Sequence, residues 1–217
     1  MTPAPIESGG GRRRVRTLDE VLDLQRRRDV VGRETNAALR AHSAGYASVL
    51  GTEPDVVVDL GSGGGVPGLV LAVERWPEAR MTLLDASQRR CTYLELCVVD
   101  LDLGDRVDVL WARAEEAGGS PQLRAAADAV VARSFGPPAV TAECAAPLLR
   151  VGGVLVVSEP PGGPGDRWHP EGLAQLGLAQ EATAVVEGAT FTRLRQVEAC
   201  PPTYPRRAGV PARRPLF

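Results

Sequence analysis

The chain has 217 residues, 44% of them apolar, and a formal net charge of −2. That length suits one domain with an appendage and supplies enough apolar side chains for a sizeable core. No apolar run is long enough to span a membrane and the start lacks the apolar segment of a signal peptide, so a cytoplasmic protein is expected, without a membrane partner.

All 25 basic residues are Arg, which reads as the composition bias of a GC-rich source rather than as function. Residues 1–50 hold nine Arg against six acids, a net +3; residues 201–217 hold four Arg and no acid. The middle, with twelve Arg and 21 acids, is net −9. Basic ends can follow a phosphate backbone or serve as solvated tails. Cys91, Cys97, Cys144 and Cys200 show no Cys-x-x-Cys spacing, and His42 and His169 stand apart from them, so no metal site is expected.

Residues 1–16 are rich in Pro, Gly and Arg and are expected to be mobile. Thr17-Leu18-Asp19-Glu20 has the form of a capping box, and apolar spacing predicts a helix to about residue 30. A second helix is expected from Arg33 to Leu50, with Ala38, Leu39, His42, Tyr46 and Leu50 on one side and His42 in a packing or capping role. Residues 1–50 thus form a basic tail and helical extension, and 51–217 a second unit ending in a basic tail.

From residue 55 strands and helices alternate. Strands are expected at 56–60, 80–85, 107–111, 128–133 and 152–158, and helices at 66–75, 87–102 and 138–149, with Ser87 as an N-cap. Short apolar strands between helices imply parallel βαβ units. A loop follows at 160–165, then a helix at 170–177. Runs at 182–187 and 190–199, joined by a Gly188-Ala189 turn, read as an antiparallel hairpin. The whole is a doubly wound, Rossmann-like α/β sheet, mostly parallel with a C-terminal hairpin. It resembles the layout of the class I S-adenosylmethionine-dependent methyltransferases.

The most informative segment is Val56-Val57-Val58-Asp59-Leu60-Gly61-Ser62-Gly63-Gly64-Gly65-Val66-Pro67-Gly68. A buried strand turns sharply into a helix, and glycine lets a ligand approach the backbone. Pro67 suits the first helical turn. Gly63-x-Gly65-x-x-Gly68 matches a dinucleotide fingerprint, but the fuller pattern is acidic-x-Gly-x-Gly-x-Gly, from Asp59 through Gly61 and Gly63 to Gly65. A pyrophosphate would be repelled by the Asp59 carboxylate, whereas the ammonium and sulfonium of S-adenosylmethionine would accept it. The second strand ends in Asp85, whose two oxygens can grip a ribose diol or cap the next helix. After the third strand, Ala114 and Glu115 can contact adenine, or Glu115 can complement a helix dipole. Arg133, beside Phe135, can orient a nucleobase or pair with an acid such as Asp59 or Glu115.

These segments resemble the bacterial small-subunit ribosomal RNA guanine-N7 methyltransferases, the glucose-inhibited division protein B family. The resemblance rests on Gly61 to Gly68, on Leu83-Leu84-Asp85 with Arg89-Arg90, on Arg113 to Glu116, on Ala132-Arg133-Ser134, on Leu148-Leu149 with Gly152-Gly153, and on the tail Tyr204-Pro205-Arg206-Arg207-Ala208-Gly209-Val210-Pro211 through Pro215-Leu216. It implies S-adenosyl-L-methionine as cofactor, bound by Asp59, Gly61, Ser62, Gly63, Gly65, Pro67, Gly68, Asp85, Ala114, Glu115 and Arg133. It gives Arg133 the catalytic role of orienting base or cofactor, and ribosomal RNA or the small ribosomal subunit as partner. The chain departs from the family in lacking a Trp-Asn and Asn-Leu-Thr segment within 1–50. It also carries Ser158-Glu159-Pro160 in place of Lys-Gly, an acid where the family sets a base toward RNA. A methyltransferase of the same fold with another acceptor, or a non-catalytic binder of cofactor or RNA, is the alternative reading.

Overall fold

In the computed structural model of the chain, which describes residues 14–217, the alternating apolar runs form one seven-stranded sheet. β1 (Val56–Leu60), β2 (Arg80–Asp85), β3 (Val107–Trp111), β4 (Ala127–Ala132) and β5 (Leu149–Ser158) are parallel. β6 (Leu178–Val186) and β7 (Ala189–Gln196) form a hairpin, with β7 antiparallel beside β5. The order is β3-β2-β1-β4-β5-β7-β6. It reverses direction between β1 and β4, so the topological switch point lies at the carboxyl ends of those two strands.

Consecutive valines in the strands point to opposite faces, and both faces are buried. Val57, Ala129, Val131 and Val156 enter a core with α1 (Leu18–Arg27), α2 (Asn36–Leu50), α3 (Gly68–Glu74) and α4 (Gln88–Asp100). Val58, Val130, Leu155 and Val157 enter the opposite core with α5 (Ala114–Gly119), α6 (Pro138–Ala145) and α7 (Pro170–Ala174). The helical extension is therefore joined to the sheet. Tyr46 of α2 is fully buried, its hydroxyl donates to the Ala132 carbonyl at the end of β4 (2.9 Å), and its ring meets Phe191 of β7 edge-on.

The Thr17–Glu20 capping box and the Ser87 cap form as expected. Other boundaries differ for local reasons. The helix expected to run to 149 stops at Ala145, because Pro147 cannot continue the hydrogen-bond ladder; a 3-10 turn follows and β5 begins at Leu149. Pro67 stands just ahead of α3 rather than in its first turn. The hairpin turns at Glu187-Gly188, with φ of +49° and +76°, the pairing of signs a two-residue primed turn needs, and Ala189 already lies in β7. α8 (Val210–Arg213) was not foreseen, whereas α5 has Glu115 in its first turn, the helix-dipole alternative read from the sequence. The expected mobility of the N-terminus falls mainly on residues 1–13, outside the described residues. Arg16 is held, its N–H and guanidinium both donating to Asp100.

Candidate cofactor and acceptor site

Three neighbouring cavities open at the switch point. The first, about 310 Å³, is lined by Gly61, Asp85, Ala114, Glu115, Phe135 and Ala212 among others. The second, about 300 Å³, lies between the glycine turn (Gly61 to Gly64) and residues 30–34, with Arg90 and Arg133 at its edge. The third, about 660 Å³, is bounded by Glu34, His42, Arg133, Phe135, Glu159 and Trp168 among others. Gly61 borders the first two, and Phe135 and Gly136 border the first and third.

The turn after β1 is built from the chain's own hydrogen bonds. Gly61 N–H and Ser62 N–H both donate to the Leu84 carbonyl, and Ser62 Oγ donates to the Asp59 carbonyl. Gly61 has φ +73°, and a Cβ there would lie 2.6 Å from the Phe135 ring. Asp59 is buried beneath the turn, where its Oδ2 accepts from Gly68 N–H (3.0 Å) and so caps α3. Burial pushes its carboxyl up to about 7, and the charge of Asp85 adds to the shift. Asp59, Gly65, Pro67 and Gly68 are not among the lining residues of the three cavities; they support the turn from below.

Asp85, at the end of β2, is also buried yet lines the first cavity. Its Oδ2 accepts from Gly63 N–H (2.9 Å) and its Oδ1 from Ser87 N–H (2.8 Å), so it ties the loop to the start of α4 while facing the cavity; the cap of α4 is Ser87, not Asp85. Each carboxylate oxygen has further lone-pair capacity for a diol.

Glu115 lines the same cavity but is already engaged. Its Oε1 accepts from Arg113 (3.1 Å) and from Gly209 N–H of the C-terminal tail (2.7 Å). Burial works against its charge, but the Gly209 N–H and the Arg113 guanidinium outweigh it and hold the carboxyl below its ordinary range.

Arg133 falls one residue beyond β4 and pairs with neither Asp59 nor Glu115. Its guanidinium donates to Glu34 (2.5 Å), 99 positions earlier, and the pair stands where the second and third cavities meet. His42 lines the third cavity against the rings of Tyr46 and Phe191. Burial first, and Arg133 second, push it down to about 4, so it is neutral at pH 7. Glu159 does not take the RNA-facing direction that the likeness to the family implied. Its side chain is fully buried, accepting from Trp168 Nε1 (2.7 Å) and Arg167 (3.1 Å), and it folds the 160–168 loop over the third cavity.

Sequence reading missed three contributors. Gln25 of α1 donates to the Gly64 carbonyl (3.2 Å), Glu34 partners Arg133, and the C-terminal tail adds Gly209 and Ala212. Their partners are distant in the chain, and no local pattern announces them. Among the described residues, no group of three or more His, Cys, Asp or Glu is arranged to hold a metal, and no helix is long and apolar enough to cross a membrane.

A sheet of this order with β7 reversed, a glycine turn after β1 and an acid ending β2 is the class I S-adenosylmethionine-dependent methyltransferase fold. Solved structures agree on the fold. Cofactor-bound Rv0187 from MTB superposes with a TM-score of 0.59 at 17% identity, covering 82% of this chain and 88% of that one. An O-methyltransferase from Bacillus cereus in complex with SAH gives 0.57 at 14% identity, covering 81% and 89%.

Residues 33–159 match the family described as GidB, rRNA small subunit methyltransferase G. Proteins named ribosomal RNA small subunit methyltransferase G are similar along most of the chain. The one from Parasynechococcus marenigrum is 38% identical over 168 residues, 74% of this chain and 67% of its own length. That from Moorella thermoacetica is 32% identical over 176 residues, 74% and 69%. That from Rubrobacter xylanophilus is 36% identical over 216 residues, 88% and 78%. The chain belongs to the small-subunit rRNA methyltransferase G family and is an S-adenosylmethionine-dependent rRNA methyltransferase.

Proposed function

We propose that this protein methylates guanine N7 in small-subunit ribosomal RNA within the cytoplasm, and that the acceptor base enters the 660 Å³ cavity. The observation that carries this reading is the shared border at Phe135 and Gly136, which gives a cofactor and a base one common opening. The first cavity fits the cofactor's nucleoside: it has an apolar wall in Leu84, Phe135 and Val140 and, in Asp85, a buried carboxylate with spare acceptor capacity. S-adenosylmethionine, when bound, supplies a methyl group already activated on a sulfonium.

The residues divide as follows. Asp85 holds the ribose hydroxyls, and the backbone at Ala114 and the Glu115 carboxylate border the adenine. Gly61, Ser62 and Gly63 face the methionine portion. Asp59, Gly65, Pro67 and Gly68 serve the site by fixing that turn. Arg133, oriented by Glu34, holds the acceptor base. Guanine N7 has a lone pair and carries no proton, so no general base is needed. A neutral His42 and a rigid wall suit that chemistry, in which the protein contributes orientation and exclusion of water. The assembled small ribosomal subunit is the proposed partner, held through arginines at the ends of the chain.

Mass spectrometry of small-subunit RNA from a strain lacking the gene tests the acceptor. Loss of one 7-methylguanosine per subunit is expected; unchanged content would sink the assignment. A second acceptor class, a small molecule, would be indicated by substrate binding insensitive to salt.

A further inference from the structure

The C-terminal tail is docked against the cofactor side of the molecule by charge, not merely laid on it. Arg206 donates three hydrogen bonds to Glu143 of α6: from its N–H (2.9 Å), its Nε (2.8 Å) and a terminal nitrogen (2.5 Å). The Glu143 side chain is fully buried, so the tail's guanidinium is the group that neutralises a carboxylate inside the protein. Arg124 donates to the carbonyls of Cys200, Pro201 and Tyr204, which fixes the path into the tail. Gly209 N–H then donates to Glu115, and Ala212 of α8 closes one side of the 310 Å³ cavity.

The opposite side of the same segment faces solvent. Arg207, Arg213 and Arg214 are exposed, and no acid occurs between residues 201 and 217 to offset them. Among the described residues none of the three makes an ion pair. One short segment thus carries a cofactor-facing inner side and a cationic outer side, joined through Arg206 and Gly209. Any ligand that steadies the outer side also steadies the wall of the cavity, and linkage makes that effect reciprocal.

We propose that residues 204–214 form a strap that completes the adenine side of the cofactor cavity and binds RNA phosphates through Arg207, Arg213 and Arg214, so that cofactor and RNA bind with positive cooperativity. Arg206 is a positioning residue in this scheme; it touches neither ligand. The inference rests on the cofactor reading above and goes beyond it.

The test is calorimetric titration of S-adenosylhomocysteine into the full chain, with and without saturating small-subunit ribosomal RNA lacking the methyl group. The wild type should bind S-adenosylhomocysteine, and RNA should tighten that binding about fivefold or more. Arg206→Ala should weaken it about tenfold. Arg207→Gln with Arg214→Gln should leave affinity without RNA within about twofold of wild type but abolish most of the tightening, a readout that a purely structural role would not move. Unchanged affinity in Arg206→Ala, no tightening by RNA in the wild type, or full tightening in the double variant would each overturn the strap. Absence of wild-type binding with and without RNA would instead overturn the cofactor reading itself.

Discussion

The two walls of the cofactor cavity are stabilised by opposite means. The glycine-turn wall contains two buried carboxylates with little to neutralise them: the Asp59 carboxylate accepts from Gly68 N–H, and among the described residues the guanidinium paired with Asp85, that of Arg90, stands 3.7 Å away. The tail wall also contains two buried carboxylates, Glu115 and Glu143, but each has a guanidinium directly on it, from Arg113 and Arg206. One wall keeps its acids on backbone donors, with acceptor capacity left at Asp85. The other spends its acids on docking the chain's own tail. A wall made of backbone turns fails by steric intrusion, whereas a wall made of ion pairs fails when one partner is removed.

The largest effect should come from the unneutralised acid. Asp59 has a folded pKa of about 7, above the ordinary carboxylate value, so the folded state holds a proton that the unfolded state has released. The contribution is therefore present below about pH 4 and lost as pH rises to 7. Asp59→Asn removes this dependence and keeps an acceptor for Gly68 N–H. Its stability relative to wild type should rise by about 4 kcal/mol between pH 4 and pH 8. Parallel curves in chemical denaturation at several pH values would contradict the electrostatic account of this wall.

On the other wall the two partners should be unequal. Arg206→Ala strands a fully buried carboxylate and should cost about 3 kcal/mol, whereas Glu143→Gln should cost about 1 kcal/mol because Arg206 is partly exposed and can reach water. Thermal melts that gave the opposite order would mean the tail is held by something other than neutralisation.

Gly68→Ala probes the steric side. A Cβ there would lie 2.4 Å from Asp59 Oδ2 and 2.6 Å from Leu83 Cδ2, two atoms of the packed interior. The expected loss is about 2 kcal/mol, with a lower melting temperature; a neutral result would show that the turn is more compliant than its contacts imply. Asp85→Ala acts on binding rather than on stability and should weaken S-adenosylhomocysteine about tenfold by calorimetry, or about 1.4 kcal/mol. Unchanged affinity would remove the ribose role.

The same contrast explains what could be read from the sequence. Strand positions, the glycine turn, Asp85 and the hairpin were legible because each is a local demand: apolar runs for buried strands, glycine for positive φ, an acid at a strand end. The tail's basic Tyr-Pro-Arg motif was visible, but its arginines looked equivalent. Only the fold shows that Arg206 turns inward to Glu143 while Arg207 and Arg214 remain outside. Glu34 with Arg133 and Glu159 with Arg167 were missed for the same reason, since a charge pair leaves no periodicity. Helix α8 was missed because a four-residue segment has too little apolar spacing to register.

Methyl transfer to guanine N7, from a cofactor held by Asp85 and the glycine turn, can be read directly on its acceptor. Small ribosomal subunits from a strain lacking the gene, incubated with the purified protein and S-adenosylmethionine, should gain one 7-methylguanosine per subunit by mass spectrometry, and far less with Asp85→Ala. No gain, or a methyl group on another base or atom, would contradict the account.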